Sequence, residues 1–244
     1  MKKNIVLSVL MVFAYVLKAQ PSMSISGGIK LIKPDQRTIT LWYVDESPSR
    51  DNIYTDFKQS GNIAVQASFR YQDDNLDKKI HPFGEVQGYL GGLNGIALNV
   101  GGFYANYSQS KFRLKPEFGV VLGYCSKSIG VIENNDVYIQ VNNTKFQDYT
   151  NVNAALSNVY LGIKPGISFS TETGANSEIG IGVNYQLSIK FGRVAFSGTN
   201  DDGNAVRDFE NLKEKNVGFY VDGEKTDKIP FNPDGLEFKI FYSF

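Results

Sequence analysis

The sequence is poor in the residue types on which most exported and catalytic folds depend. It holds one cysteine, Cys125, in 244 residues, so no intrachain disulfide can form. It holds one histidine, His81, followed by Pro82. That excludes His/Cys zinc spacing and leaves a single imidazole as a general base for neutral pH. Neither sign of charge dominates: Lys+Arg and Asp+Glu number 25 each, which leaves no basic surplus to hold nucleic acid. Proline is sparse and helix-period patterns are nearly missing, which favours an all-β chain. Beyond the first twenty residues, no apolar run reaches the ~20 residues of a transmembrane helix.

What is present begins with a leader. Lys2 and Lys3 precede an apolar run from Ile5 to Leu17, followed by Lys18-Ala19-Gln20. A basic start, a short apolar core and a small residue describe a cleaved signal peptide over 1–19, with cleavage after Ala19. The remainder, 20–244, reads as one domain of period-two segments. These run from about Ser22 to Lys33, Ser60 to Tyr71, Ile80 to Gly91, Gly95 to Tyr107, Lys111 to Ser126, Ala155 to Thr171, Ser177 to Gly192 and Leu236 to Phe244. In the seventh, Ile179, Ile181, Val183, Tyr185, Leu187, Ile189 and Phe191 alternate with Asn184, Gln186, Ser188 and Lys190.

The connections sort by length. Those after the second, fourth and sixth segments are short, whereas 34–59, 127–154 and 193–235 read as long loops. The tight Gly92-Leu93-Asn94 turn breaks the rule. Short turns at one end and long loops at the other match a membrane-spanning up-and-down antiparallel β-barrel with its turns in the periplasm. The count is eight strands. Ten is the alternative, because Thr38 to Val44 reads as an extra strand or an extension of the first. Separately, Asn216 to Val221 reads as a short strand of an extracellular hairpin within the last loop.

The last nine residues are the most specific. Leu236, Phe238, Ile240, Tyr242 and Phe244 share one face of a strand, opposite Glu237, Lys239, Phe241 and Ser243. This segment resembles the C-terminal strand of bacterial outer-membrane barrels. The resemblance implies that Phe238, Ile240, Tyr242 and Phe244 form the signal read by the barrel-assembly machinery. With the leader and the alternation across Gln20 to Phe244, the chain resembles small outer-membrane barrels of the OmpA/OmpX kind and the barrel group that includes PorT-like proteins. That resemblance implies an integral protein of the outer membrane of a double-membrane bacterium, in contact with its lipid.

If the apolar faces meet lipid, the lumen receives Lys30, Arg70, Glu85, Arg113, Lys115, Glu117, Lys164, Lys190, Glu237 and Lys239. An eight-stranded barrel is about filled by its own side chains, so crossing cations and carboxylates form a polar core rather than a pore. Bases outnumber acids in this set, and the surplus is expected to be hydrated near the mouths. Tyr71, Phe83, Tyr104, Phe112, Phe169, Tyr242 and Phe244 are expected in a periplasmic aromatic girdle, with Tyr124, Phe191 and Phe238 toward the other rim.

No catalytic, cofactor or metal site emerges. His81 falls beside a periplasmic turn and reads as an interfacial histidine, far along the strands from Cys125. Asp201-Asp202-Gly203-Asn204 lacks the ligand spacing of an EF-hand and reads as a turn. The resulting expectation is a non-enzymatic barrel with a structural, adhesion or secretion-accessory role, whose partner is a protein held by the extracellular loops. A narrow channel for small solutes or ions is the alternative. A secreted soluble barrel with its apolar faces turned inward around a ligand ranks third.

Overall fold

A computed structural model describes residues 21–32, 38–44, 52–58, 63–73, 79–105, 111–132, 138–147, 152–174, 177–215, 217–227 and 233–244. The expected leader, 1–19, lies outside them. Strands are the only extended regular elements among the described residues: β1 (Pro21–Ile32), β2 (Thr38–Val44), β3 (Asn52–Lys58), β4 (Ile63–Asp73), β5 (Ile80–Gly91), β6 (Asn94–Tyr104), β7 (Phe112–Ile132), β8 (Ile139–Val141), β9 (Thr144–Phe146), β10 (Val152–Gly174), β11 (Ser177–Thr199), β12 (Ala205–Asn211), β13 (Val217–Val221), β14 (Glu224–Lys225) and β15 (Gly235–Ser243).

Eight of them close a ring in chain order: β1, β4, β5, β6, β7, β10, β11 and β15, each antiparallel to the next. β15 pairs back on β1 from Ser243↔Ser24 to Gly235↔Ile32, so neither chain-end strand is left as an edge. Following paired residues around the wall fixes the stagger. From Thr171 the circuit passes Ile179, Tyr242, Ile25, Phe69, Val86, Leu98 and Leu122, and returns to β10 at Leu161, ten residues from its start. With ~4.8 Å between strands and ~3.3 Å per residue, that stagger tilts the strands about 40° from the barrel axis.

The alternation is inside-out relative to a soluble barrel. On β11, Ile179, Ile181, Tyr185, Leu187, Ile189 and Phe191 are exposed, while Glu178, Asn184 and Gln186 are buried in the lumen. The same holds on β10, where Leu161, Ile163, Ile167 and Phe169 face out and Lys164, Ser168 and Ser170 face in. The reading of a soluble barrel with an apolar interior is thereby excluded. Lumenal side chains pack over glycines on the neighbouring strand. A Cβ on Gly180 would overlap Phe241 Cζ, so that inward phenylalanine needs the glycine.

On three adjacent strands this polarity reverses at one level. Tyr124, Val159 and Phe191 are paired across β7, β10 and β11 and end the apolar outer face. The next residues of that parity are Ser126, Ser157 and Arg193, also in register, with Arg193 exposed and Ser157 covered. Beyond them the inward positions turn apolar: Leu156, Ala154 and Val152 on β10, and Val194 and Phe196 on β11. The strands leave the membrane there and continue as the wall of a water-facing domain with an ordinary apolar core.

That domain corrects the reading of 34–59, 127–154 and 193–235 as long loops: they carry β2, β3, β8, β9, β12, β13, β14 and the ends of β7, β10 and β11. The strand suspected at 38–44 exists but joins no barrel strand. It pairs with β3 and β13 in a separate sheet ordered β14-β13-β2-β3. The β13–β14 turn places Asp222 and Gly223 at φ 52° and 84°, the two positive values of a type I′ hairpin, for which Asp-Gly is the favoured pair. Ile39, Leu41, Tyr43, Val217, Phe219 and Val221 on one face of this sheet join Ile132, Ile139, Phe146, Leu156, Val194 and Phe196 in a single cluster. Tyr43 and Phe196 meet with ring centroids 5.1 Å apart.

Candidate functional site: a charged lumen under a β-cap

The lumen is built from the inward residue of every second position on eight strands, which brings side chains distant in sequence into stacked layers. At the end carrying the short turns, Arg113 on β7 donates to Glu172 and Glu178, and Lys115 also binds Glu178. In the middle, Arg70 on β4 donates to Glu117 at 2.7 Å and to Glu85 at 3.1 Å, with its guanidinium 4.0 Å from the Phe83 ring centroid. Lys239 on β15 stands 3.2 Å from Glu117 and 3.6 Å from Glu85. Ser68 and Asn99 donate to Glu85 at 2.8 and 3.2 Å, and Asn184 donates to Glu117. Four charges thus balance within one layer, and neutral donors occupy further carboxylate lone pairs.

The next layer centres on Glu237. Lys30 lies 3.0 Å away, Lys164 contacts its second oxygen, and Tyr89 donates to it at 3.1 Å. Gln186 and Gln87 accept from the two ammonium groups at 2.8 Å each. Lys30, Lys164 and Glu237 have side chains with 0% exposure. Toward the cap, Lys190 pairs with Asp234 at 3.2 Å. Above the charges, Ile32, Tyr89, Val121, Cys125 and Tyr160 fill the neck and merge with the cap's apolar cluster. In the middle layer the space left beside Arg70, Glu117 and Lys239 is a cavity of about 20 Å³, room for about one water.

All ten residues expected in the lumen stand on the inward side of their strands. The sequence reasoning missed their remaining partners. Glu172, Glu178 and Asp234 sit at strand ends, where alternation gives no assignment, yet they supply carboxylates for most of the basic surplus. The expected hydration is replaced by these ion pairs. Two other expectations change. Phe83 is not a girdle residue: it has the parity of Glu85 and lies beneath Arg70. His81 is not interfacial: it is fully buried in the lumen, stacked on Phe103 at 4.9 Å, with Nδ1 2.8 Å from the Asp73 carbonyl oxygen. Phe238, Ile240, Tyr242 and Phe244 all face outward and exposed, on the strand that closes the ring.

No protein-family model matches the chain, and no characterised sequence does. Among solved structures it is similar to a major outer membrane protein from Thermus thermophilus, at 11% identity and a TM-score of 0.42, covering 92% of this chain and 98% of that one. It is also similar to the outer membrane protease OmpT from Escherichia coli, at 9% identity and a TM-score of 0.26, covering 91% and 94%. The apolar outer belt, charged lumen and closed ring carry the assignment of the fold. The chain folds as a closed, membrane-spanning β-barrel. The expectation of a non-enzymatic protein is withdrawn, because a barrel among these matches is a protease and the architecture excludes no chemistry.

Proposed function

We propose that this barrel is a closed membrane anchor that displays its β-cap at the cell surface, as an adhesion protein or as an accessory of a secretion complex. In this reading it is a barrel of the OmpA/OmpX-like and PorT-like kind, exported by its leader and read by the assembly machinery through its last strand. The turn end then faces the periplasm and the cap faces outward. The observation that carries this reading is the lumen: ion pairs bridge it in successive layers, and an apolar neck continues into the cap core. A cap built from three former loop regions and packed on one apolar cluster supports a binding role over transport.

Single-channel recording of the refolded protein in a planar bilayer tests the reading, with heat-modifiable gel migration as the check on folding. Folded protein without steady conductance is the expected result. Reproducible conductance would instead establish a narrow channel, and its ion selectivity would then report on the lumenal cations.

A further inference from the structure

The two faces of the cap sheet differ. One is buried on the cluster described above; the other carries the partly exposed rings of Trp42 and Tyr220, with Thr40 largely covered between them. Register places Lys225, Tyr220, Thr40 and Asp56 in one row across β14, β13, β2 and β3. In the adjacent row Trp42 pairs with Gly218. A Cβ on Gly218 would stand 2.9 Å from Trp42 Cε3 and 3.2 Å from Tyr220 Cε2, so both rings lie over the glycine and form a continuous aromatic floor. Thr40, Trp42, Tyr220 and Gly223 line an open cleft of about 380 Å³ over it. At one edge the exposed Asp56 carboxylate accepts from Thr40 Oγ1; at the other, Lys225 is exposed.

We propose that this cleft binds a neutral oligosaccharide, with two to three hexose rings lying along the row. Three strand spacings separate Lys225 from Asp56, about 14 Å, which matches that length. The C–H face of a pyranose is apolar and flat, and it complements the faces of Trp42 and Tyr220. Its rim of hydroxyls both donates and accepts, so it can donate to Asp56 and accept from Lys225 in charge-assisted hydrogen bonds. The same two charges select against other guests. Lys225 beside Tyr220 repels a cation that would otherwise suit an aromatic pair, and Asp56 repels an anion. The inference rests on the reading of the cap as a surface-displayed binding domain and names what it binds.

Trp42 is the sole tryptophan of the chain, so intrinsic fluorescence reports this cleft directly. The full chain, folded in detergent micelles, would be titrated with cellohexaose, whose ring hydroxyls are all equatorial, and with maltohexaose. A saturable change in Trp42 emission is expected for at least one of them. It should weaken by about tenfold or more in both Tyr220→Ala and Asp56→Asn while gel migration stays that of the folded barrel. The absence of a saturable change up to about 10 mM of either sugar overturns the proposal. So does an undiminished response in both variants, or saturation by tetramethylammonium or glucuronate in place of the hexaoses. Bilayer recordings on the same preparation keep the two readings apart. A closed barrel that ignores sugars removes this inference alone, whereas a conducting one removes the closed-anchor reading beneath it.

Discussion

The lipid belt makes a depth-dependent prediction that can be worked out on one strand. Outward residues of β11 run from Ile179 to Phe191. With ~3.3 Å per residue and a tilt of about 40°, that run spans about 30 Å along the barrel axis, enough for the ~25 Å apolar band of an outer-membrane barrel. Val183, paired with Ile167 and Phe238, then lies about 5 Å from the midplane, whereas Ile179 and Phe191 lie at the two rims. Arginine at the midplane costs about 2–4 kcal/mol and near an interface about 0–1. Val183→Arg is therefore expected to cost about 3 kcal/mol, and Ile179→Arg and Phe191→Arg under about 1 each. The difference of about 2 kcal/mol is roughly a thirtyfold change in the folding equilibrium. Reversible urea titrations in phosphatidylcholine vesicles would measure it, with the folded fraction read from gel migration. Equal costs at the three positions, or a larger cost at a rim than at Val183, would refute the assignment of the belt.

Glu237→Gln leaves the ammonium groups of Lys30 and Lys164 buried without their carboxylate. It should cost about 3–5 kcal/mol in the same titration, and a cost near zero would mean that the lumen is wetter than the ion-pair layers imply. Gly180→Ala places a methyl group against Phe241 and the Phe169 carbonyl oxygen; a loss of about 1–3 kcal/mol is expected, with part recovered by adding Phe241→Leu. Replacing both Tyr242 and Phe244 with serine removes two exposed aromatics from the closing strand and should reduce the amount of assembled barrel in the outer membrane, measured by surface protease accessibility of the cap. Unchanged assembly would separate those residues from any signal function.

The eight barrel strands were legible because the membrane imposes a period of two on every segment that crosses it. β5, Ile80–Gly91, has the boundaries that its alternation implies, and Lys30, Glu117 and Glu237 fall inward by parity alone. Alternation failed where its sign changed. Beyond Ser126, Ser157 and Arg193 the apolar residues move to the opposite face, so a scan tuned to the membrane half ends those strands early and assigns the rest to loops. Nor does periodicity say which strands meet. β2 and β13 pair although Ile39 and Val221 lie far apart in the chain, and only that pairing brings Trp42 over Gly218. The eight alternating strands follow from the amino-acid order, because a two-sided wall leaves each position one choice of face; that the apolar face is the outer one was decided by the exposures of residues such as Ile181 and Leu187 against buried Asn184 and Gln186. The cap and the partners of the lumenal cations emerge only in three dimensions, because both depend on long-range pairing and on strand-end residues whose direction no local pattern specifies.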